Sequence, residues 1–157
     1  MVTPAAAGAF ELGTDGPTAI LVGVDGSATS LRAAAYAAGL ARRQGARLVV
    51  VYVESISSVT AGVPLADEAF RQAHSVASDK AAADLRRQAE EMAAAWGISS
   101  TFIATQGDSL AGLHRIASEV SADAIVVGAS AKFGHRLAGS LAVRLVRAAK
   151  WPVTVVP

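Results

Sequence analysis

The 157-residue chain contains no cysteine, which removes disulfides, thiolate nucleophiles and cysteine-bound metals from the chemistry open to it and fits a reducing compartment. A cytoplasmic location is the expectation that follows. Although 52% of the residues are hydrophobic, no apolar run approaches the ~20 residues that a membrane span requires, so no membrane insertion is expected. An excess of either charge is also missing. The 14 Lys and Arg are balanced by 13 Asp and Glu, and the resulting net charge of +1 gives no long-range field to draw the chain onto nucleic acid or anionic lipid. The three histidines, His74, His114 and His135, stand at no metal-ligand spacing, and no metal site is expected. Residues Met1 to Pro17 lack Lys and Arg and are interrupted by Pro4, Gly8, Glu11 and Gly13, unlike the basic start and apolar centre of a secretory signal. This stretch, residues 1–17, is expected to be a flexible extension ahead of one domain over residues 18–157, a length that buries roughly 70% of the unfolded chain's surface in a single core.

What is present is an alternation of two patterns. Ala19 to Val24 (AILVGV) is a short, continuously apolar run rich in β-branched residues, as a strand covered on both faces of a parallel sheet must be. Arg47 to Val53 and Ala124 to Val127 repeat it, with Ser100 to Thr105 and Val153 to Val156 as further strands. Between them lie helical stretches. Ser27 to Arg43 opens on a capping serine and closes on arginines and Gly45. Asp67 to Trp96 has no Pro or Gly, and Phe70, Ala73, Ala77, Ala81, Leu85, Ala89, Met92 and Trp96 recur at steps of three or four. Ser109 to Val120 and Ser140 to Lys150 complete the set, giving β-α-β-α-β-α-β-α-β with helical crossovers between parallel strands. His74 and His114 fall within helical patterns and are assigned no catalytic duty.

In open parallel sheets, ligands bind beyond the carboxyl ends of the strands, at the point where neighbouring crossovers leave in opposite directions. The first strand ends in Asp25-Gly26-Ser27, a carboxylate followed by a helix N-terminus. Two readings stand together: Asp25 accepts a hydrogen bond from a ligand, or Asp25 and Ser27 only cap the helix. After Val127 the segment Gly128 to Ser140 (GASAKFGHRLAGS) places three glycines, two serines, two cations and a histidine ahead of another helix N-terminus, a composition suited to phosphate. It lacks the Gly-Lys-Ser/Thr ending of a P-loop. Arg144, Arg147 and Lys150 recur at three-residue spacing and are read as a solvated basic stripe, because no aromatic residues interleave with them for nucleic-acid contact. Ser55 to Pro64 is a long Ser/Gly/Pro-rich loop beside a strand end, either a lid or plain surface.

ILVGVDGS at Ile20 to Ser27, Gly107-Asp108, ADAIVVG at Ala122 to Gly128, Gly139-Ser140 and the terminal WPVTVVP together resemble the universal stress protein family, over about Pro17 to Pro157. The resemblance implies an α/β three-layer sandwich with a five-stranded parallel sheet of order 3-2-1-4-5, helices on both faces, a homodimer, and in many members ATP bound where strands one and four diverge, so that the cofactor expected here is an adenine nucleotide: ATP, AMP or cyclic AMP. Carried onto this chain, it places Asp25 against the adenosine with Gly26 and Ser27 beside it, and backbone at Val53 against the adenine. The family's phosphate motif is Gly, two residues, Gly, nine residues, then Gly-Ser or Gly-Thr. Gly128, Gly139 and Ser140 match it, with Ser130 inside the loop. Ala131 replaces the second glycine, and seven residues rather than nine precede Gly139. An alanine methyl hinders close backbone approach to phosphate, so His135 and Arg136 are assigned the charge for a shorter nucleotide, AMP or cyclic AMP rather than ATP. The implied function is a non-enzymatic, nucleotide-binding regulatory module of the stress response, with no catalytic residue. The alternative is a ligand-independent dimeric scaffold with a degenerate site. In either case the expected partners are a second copy, joined through the edge strand Val153 to Val156, and a protein that sequence does not identify.

Overall fold

The computed structural model describes residues 17–54, 68–129 and 141–157. Its elements are β1 (Ala19–Val24), α1 (Ala28–Gln44), β2 (Arg47–Glu54), α2 (Glu68–Trp96), β3 (Ser100–Gln106), α3 (Ser109–Glu119), β4 (Ala124–Gly128), α4 (Leu141–Ala148) and β5 (Val153–Val156). The strands form one sheet of order β3-β2-β1-β4-β5, and every pairing is parallel. Among the described residues no helix is long and apolar enough to cross a membrane.

The layering follows from handedness. A parallel crossover is right-handed almost without exception, so the face on which a helix lands depends on the direction in which the chain moves along the sheet. From β1 through β2 to β3 the chain moves one way, and α1 and α2 cover one face. From β3 back to β4 and β5 it moves the other way, and α3 and α4 cover the opposite face. The strands supply both cores by alternation. Ile20, Val22, Val24, Leu48, Val50 and Val126 pack with the α1 alanines and with Leu85 and Ala89 of α2. Leu21, Val49, Val51, Ile125 and Val127 pack with Leu113, Ile116 and Ala117 of α3 and with Ala142 and Leu145 of α4. A strand flanked this way has no solvent face, which is why AILVGV is apolar throughout.

Local chemistry sets the helix ends. The Ser27 side chain accepts from the Ser30 N–H and caps α1, while Gly45 closes it in the left-handed region at φ 65°. At the opposite edge of the sheet, the Asp123 carboxylate accepts from the Thr18 and Ala19 N–H groups at 2.7 and 2.9 Å, tying the start of β1 to the start of β4.

The long second helix is present as expected, and the end of the last helix is corrected. The small-residue stripe of α2 does not pack along its whole length: Leu85, Ala89 and Ala93 are buried, but Ala73, Ala77 and Ala81 are exposed. The cause is length, since 29 residues span about 43 Å as a helix whereas the 7 residues of β3 cover about 23 Å. The helix therefore overhangs the sheet it covers. The last helix ends at Ala148 rather than Lys150 because Ala149 turns left-handed at φ 50°. Its expected start at Ser140 lies outside the described residues, as do Asp67 and the Ser55 to Pro64 loop.

His114 on α3 packs its ring against Trp151, with centroids 5.2 Å apart. Burial pushes its pKa below the ordinary histidine value, and the charge of Lys150 adds to the shift. The folded state therefore resists a proton that the unfolded chain accepts freely, so stability declines as pH falls through the unfolded value of about 6.5 and levels off once folded His114 is also protonated. Urea denaturation from about pH 8 to pH 5 should show that decline, and His114→Gln should flatten it. An unchanged slope in the variant would place the pH dependence on another group.

Candidate functional site

The carboxyl edge of the sheet opens between its two central strands. Pairing of β1 with β4 extends only to Val22↔Val126, although β1 runs to Val24 and β4 to Gly128. The outer ladders continue to the strand ends, to Val24↔Tyr52 on one side and Gly128↔Val156 on the other. The two central strands thus part over their last two residues, in the crevice that a reversal of winding direction creates.

The turn after β1 shows why. Rather than extending the ladder onto β4, the Asp25 N–H donates to Ser30 Oγ at 3.2 Å, and that buried hydroxyl donates in turn to the Ser27 carbonyl at 3.0 Å. Asp25 Oδ1 accepts the Ser27 N–H at 2.9 Å. Gly26 between them adopts φ 82°, a conformation that costs a residue with a Cβ. The capping reading of Ser27 is therefore realised, with Asp25 bracing the cap, and the same turn leaves the Asp25 side chain exposed at the mouth of the crevice.

Across the opening, Gly128 meets the first turn of α1. A Cβ on Gly128 would lie 2.5 Å from the Thr29 carbonyl carbon and 2.7 Å from the Ser30 nitrogen, so only glycine lets the end of β4 pass beneath the backbone that follows the cap. Val53 stands one step beyond the last β1–β2 pair. Alternate β2 residues bond to alternate neighbours: Leu48 and Glu54 bond toward β3, and Arg47 toward β1. By that alternation, Val53 turns its N–H and C=O toward β1, at the point where β1 gives way to the Asp25–Gly26 turn.

The structure thus brings Asp25, Gly26, Ser27, Val53 and Gly128 to one edge. Ser130, Ala131, His135, Arg136, Gly139 and Ser140 lie outside the described residues. Two contributors escape sequence reasoning. Ser30 and Thr29 look like ordinary first-turn residues, and only the three-residue step from Ser27 hints that Ser30 belongs to the cap. Arg144 is not part of a free basic stripe. Its Nη2 donates to both oxygens of Asp108, at 2.9 and 3.0 Å, while Lys150 falls beyond the helix end. Asp108 caps α3 by accepting the Ala111 N–H at 3.0 Å. That bond first, and Arg144 second, hold its carboxyl below the ordinary aspartate pKa. Among the described residues no cluster of three or more His, Asp or Glu is placed to hold a metal ion. The edge offers a carboxylate acceptor, strand-end backbone and a helix N-terminus, which suit a ligand with hydroxyl, amino and anionic groups.

Comparison with known proteins is consistent across sequence and structure. The sequence profile of the universal stress protein family matches residues 18–157. A universal stress protein of Methanocaldococcus jannaschii is 30% identical over 139 residues, covering 87% of this chain and 80% of that protein. Among solved structures, the universal stress protein UspA from Lactobacillus plantarum superposes with a TM-score of 0.72 at 28% identity, over 89% of this chain and 97% of the other. The crystal structure of a universal stress protein in complex with cAMP superposes with a TM-score of 0.68 at 26% identity, over 90% and 97%.

The close approach at Gly128 has a measurable consequence. Gly128→Ala pushes a methyl into backbone on the α1 side and should cost about 2 kcal/mol or more, lowering Tm by roughly 4–8 °C. Gly26→Ala meets no atom within 4 Å and carries only the left-handed backbone penalty, about 1–2 kcal/mol. Thermal denaturation compares them; a Gly128→Ala variant as stable as the parent would show that β4 does not pass this close to α1.

Proposed function

The chain belongs to the universal stress protein family, and on that premise we propose that it is a regulatory module that binds an adenine nucleotide at the parting of β1 and β4, as one domain over residues 18–157. The observation that carries this reading is the crevice itself: the ladder stops short, the exposed Asp25 carboxylate stands at its mouth, and Val53 turns its backbone toward the same space. In this arrangement Asp25 accepts from a ribose hydroxyl, the Val53 backbone reads the adenine edge, and the phosphate falls to the motif that Gly128 begins and whose remaining members, Ser130 to Ser140, lie outside the described residues. A relative with the same fold is described in complex with cAMP, which supports a short nucleotide. Ala131 and the loop shortened by two residues favour AMP or cyclic AMP over ATP, because they remove glycine freedom and shift the N–H groups that a triphosphate needs. The role is binding and regulation rather than turnover.

Mass spectrometry of small molecules released from freshly purified, denatured protein tests the reading directly, and calorimetry with AMP, cyclic AMP and ATP ranks them. A hydrogen bond from a hydroxyl to a charged acceptor contributes about 1.5–3 kcal/mol, so Asp25→Ala should weaken AMP binding by about one to two decades with the fold intact. Unchanged affinity in the folded variant moves the site elsewhere, and absence of any binding leaves the scaffold function in its place.

The proposal includes a twofold dimer. Among the described residues β5 ends the sheet and pairs with β4 on one side, so no other described strand lies beside its outer edge. Val155, on the face shared with Val153 and α4, is 40% exposed, as is Val146 of α4 at 57%. Antiparallel pairing of two β5 strands covers both edges in a closed contact. Light scattering coupled to size exclusion should find a dimer at tens of micromolar, and Val155→Lys should shift it toward monomer because a buried, unpaired ammonium is costly. A monomeric parent, or a dimeric Val155→Lys variant, rules this interface out.

A further inference from the structure

Helix α1 carries its charge differently from its neighbours. Its 17 residues include Arg32, Arg42 and Arg43 but no Asp or Glu. On the other helices, Arg87 pairs with Asp84 and Glu91, Arg115 with Glu119 and Arg144 with Asp108, and Arg86 lies over the Phe102 ring. On α1, Arg42 lies over the Trp96 ring, whereas no described carboxylate pairs with Arg32 or Arg43.

Those two arginines share one face. The inner side of α1 is Ser30, Ala33, Ala34, Ala37, Ala38 and Ala41, all buried. Opposite them, Arg32, Tyr36, Gly39 and Arg43 follow at steps of four, three and four, one stripe about three turns long. Arg32, Ala35 and Arg43 are exposed, and the Tyr36 ring is 45% exposed. Glycine inside a helix is unfavourable, and the space that Gly39 leaves is used by Arg43. A Cβ on Gly39 would lie 3.2 Å from Arg43 Nη1, so the guanidinium folds back along the stripe, the direction helical side chains take.

We propose that this face of α1 docks an acidic helical segment of a partner protein, with a carboxylate near each end and small or apolar residues between; the proposal is independent of the nucleotide reading. Charge complementarity selects this occupant. Each guanidinium can donate paired hydrogen bonds to a carboxylate, Tyr and Arg are the residues that most often anchor interfaces, and Ala35 and Gly39 let a second helix axis approach to about 8 Å. A second copy fits poorly, because an antiparallel α1–α1 contact sets Arg32 of each copy against Arg43 of the other. Nucleic acid fits poorly too, because three cations neutralise far fewer phosphates than the roughly six to ten of a strong site.

Nuclear magnetic resonance titration of the full, isotope-labelled chain tests the proposal. The probe is a helix-forming peptide of roughly 16 residues with two Glu eleven positions apart and Ala and Leu between them. Shifts should concentrate on residues 31–43, and the same peptide with Gln for Glu should bind about fivefold to tenfold more weakly. Arg32→Gln and Arg43→Gln should each cause a similar loss. Gly39→Gln should weaken binding while Tm holds or rises, since glutamine suits a helix better than glycine. A chain carrying Arg32→Glu and Arg43→Glu should lose the Glu peptide and gain one with Lys in its place. No shift on α1 at millimolar peptide, or equal affinity for the Gln peptide, overturns the proposal. So does an α1 face that answers more tightly to a short DNA strand, to phosphatidylserine vesicles or to a rise in protein concentration than to the Glu peptide.

Discussion

Between β1 and β4 the chain reverses the direction in which it winds, and the carboxyl edge takes its form from the space this leaves. Helices α1 and α4 depart from neighbouring strands toward opposite faces, so no crossover can close the gap above Val22 and Val126. The backbone then uses the gap. Asp25 turns its N–H to Ser30, Gly26 takes the left-handed bend, and Gly128 slips under the first turn of α1. One topological fact thus accounts for a buried serine, a positive-φ glycine and a glycine without room for a methyl group.

Packing and polarity divide the work around that opening. The two cores are built from β-branched strands and small helix residues, and α1 buries five alanines, Ala33, Ala34, Ala37, Ala38 and Ala41, to lie close on the sheet. Burial of this kind supplies magnitude but little direction, since apolar contact scales with area. Direction comes from a few aspartates at the element ends. Asp25 braces the cap of α1, Asp108 caps α3 and holds Arg144, and Asp123 gathers the N–H groups at the start of β1. These carboxylates act through a few short bonds each, which is why a chain of nearly balanced charge still has sharply placed electrostatics.

The sequence by itself determined the five strands and four helices, because each rests on an interaction that is local along the chain. Continuous apolar β-branched runs mark strands covered on both faces, and Ser27, Gly45 and Gly97 punctuate helices through bonds within a few residues. The strand order came from motif resemblance, whereas Asp25 and Gly128 were marked by their places at the carboxyl ends of strands, with the resemblance adding the adenosine and phosphate roles. What only the tertiary structure decided involves partners far apart in sequence: that Arg144 bonds Asp108 36 residues away, that the α2 stripe runs beyond the sheet with Ala73, Ala77 and Ala81 exposed, and that Gly128 lies against Thr29. Residue spacing along one element carries no record of which neighbour faces it or how far that neighbour extends, so these contacts are fixed only when the layers are assembled.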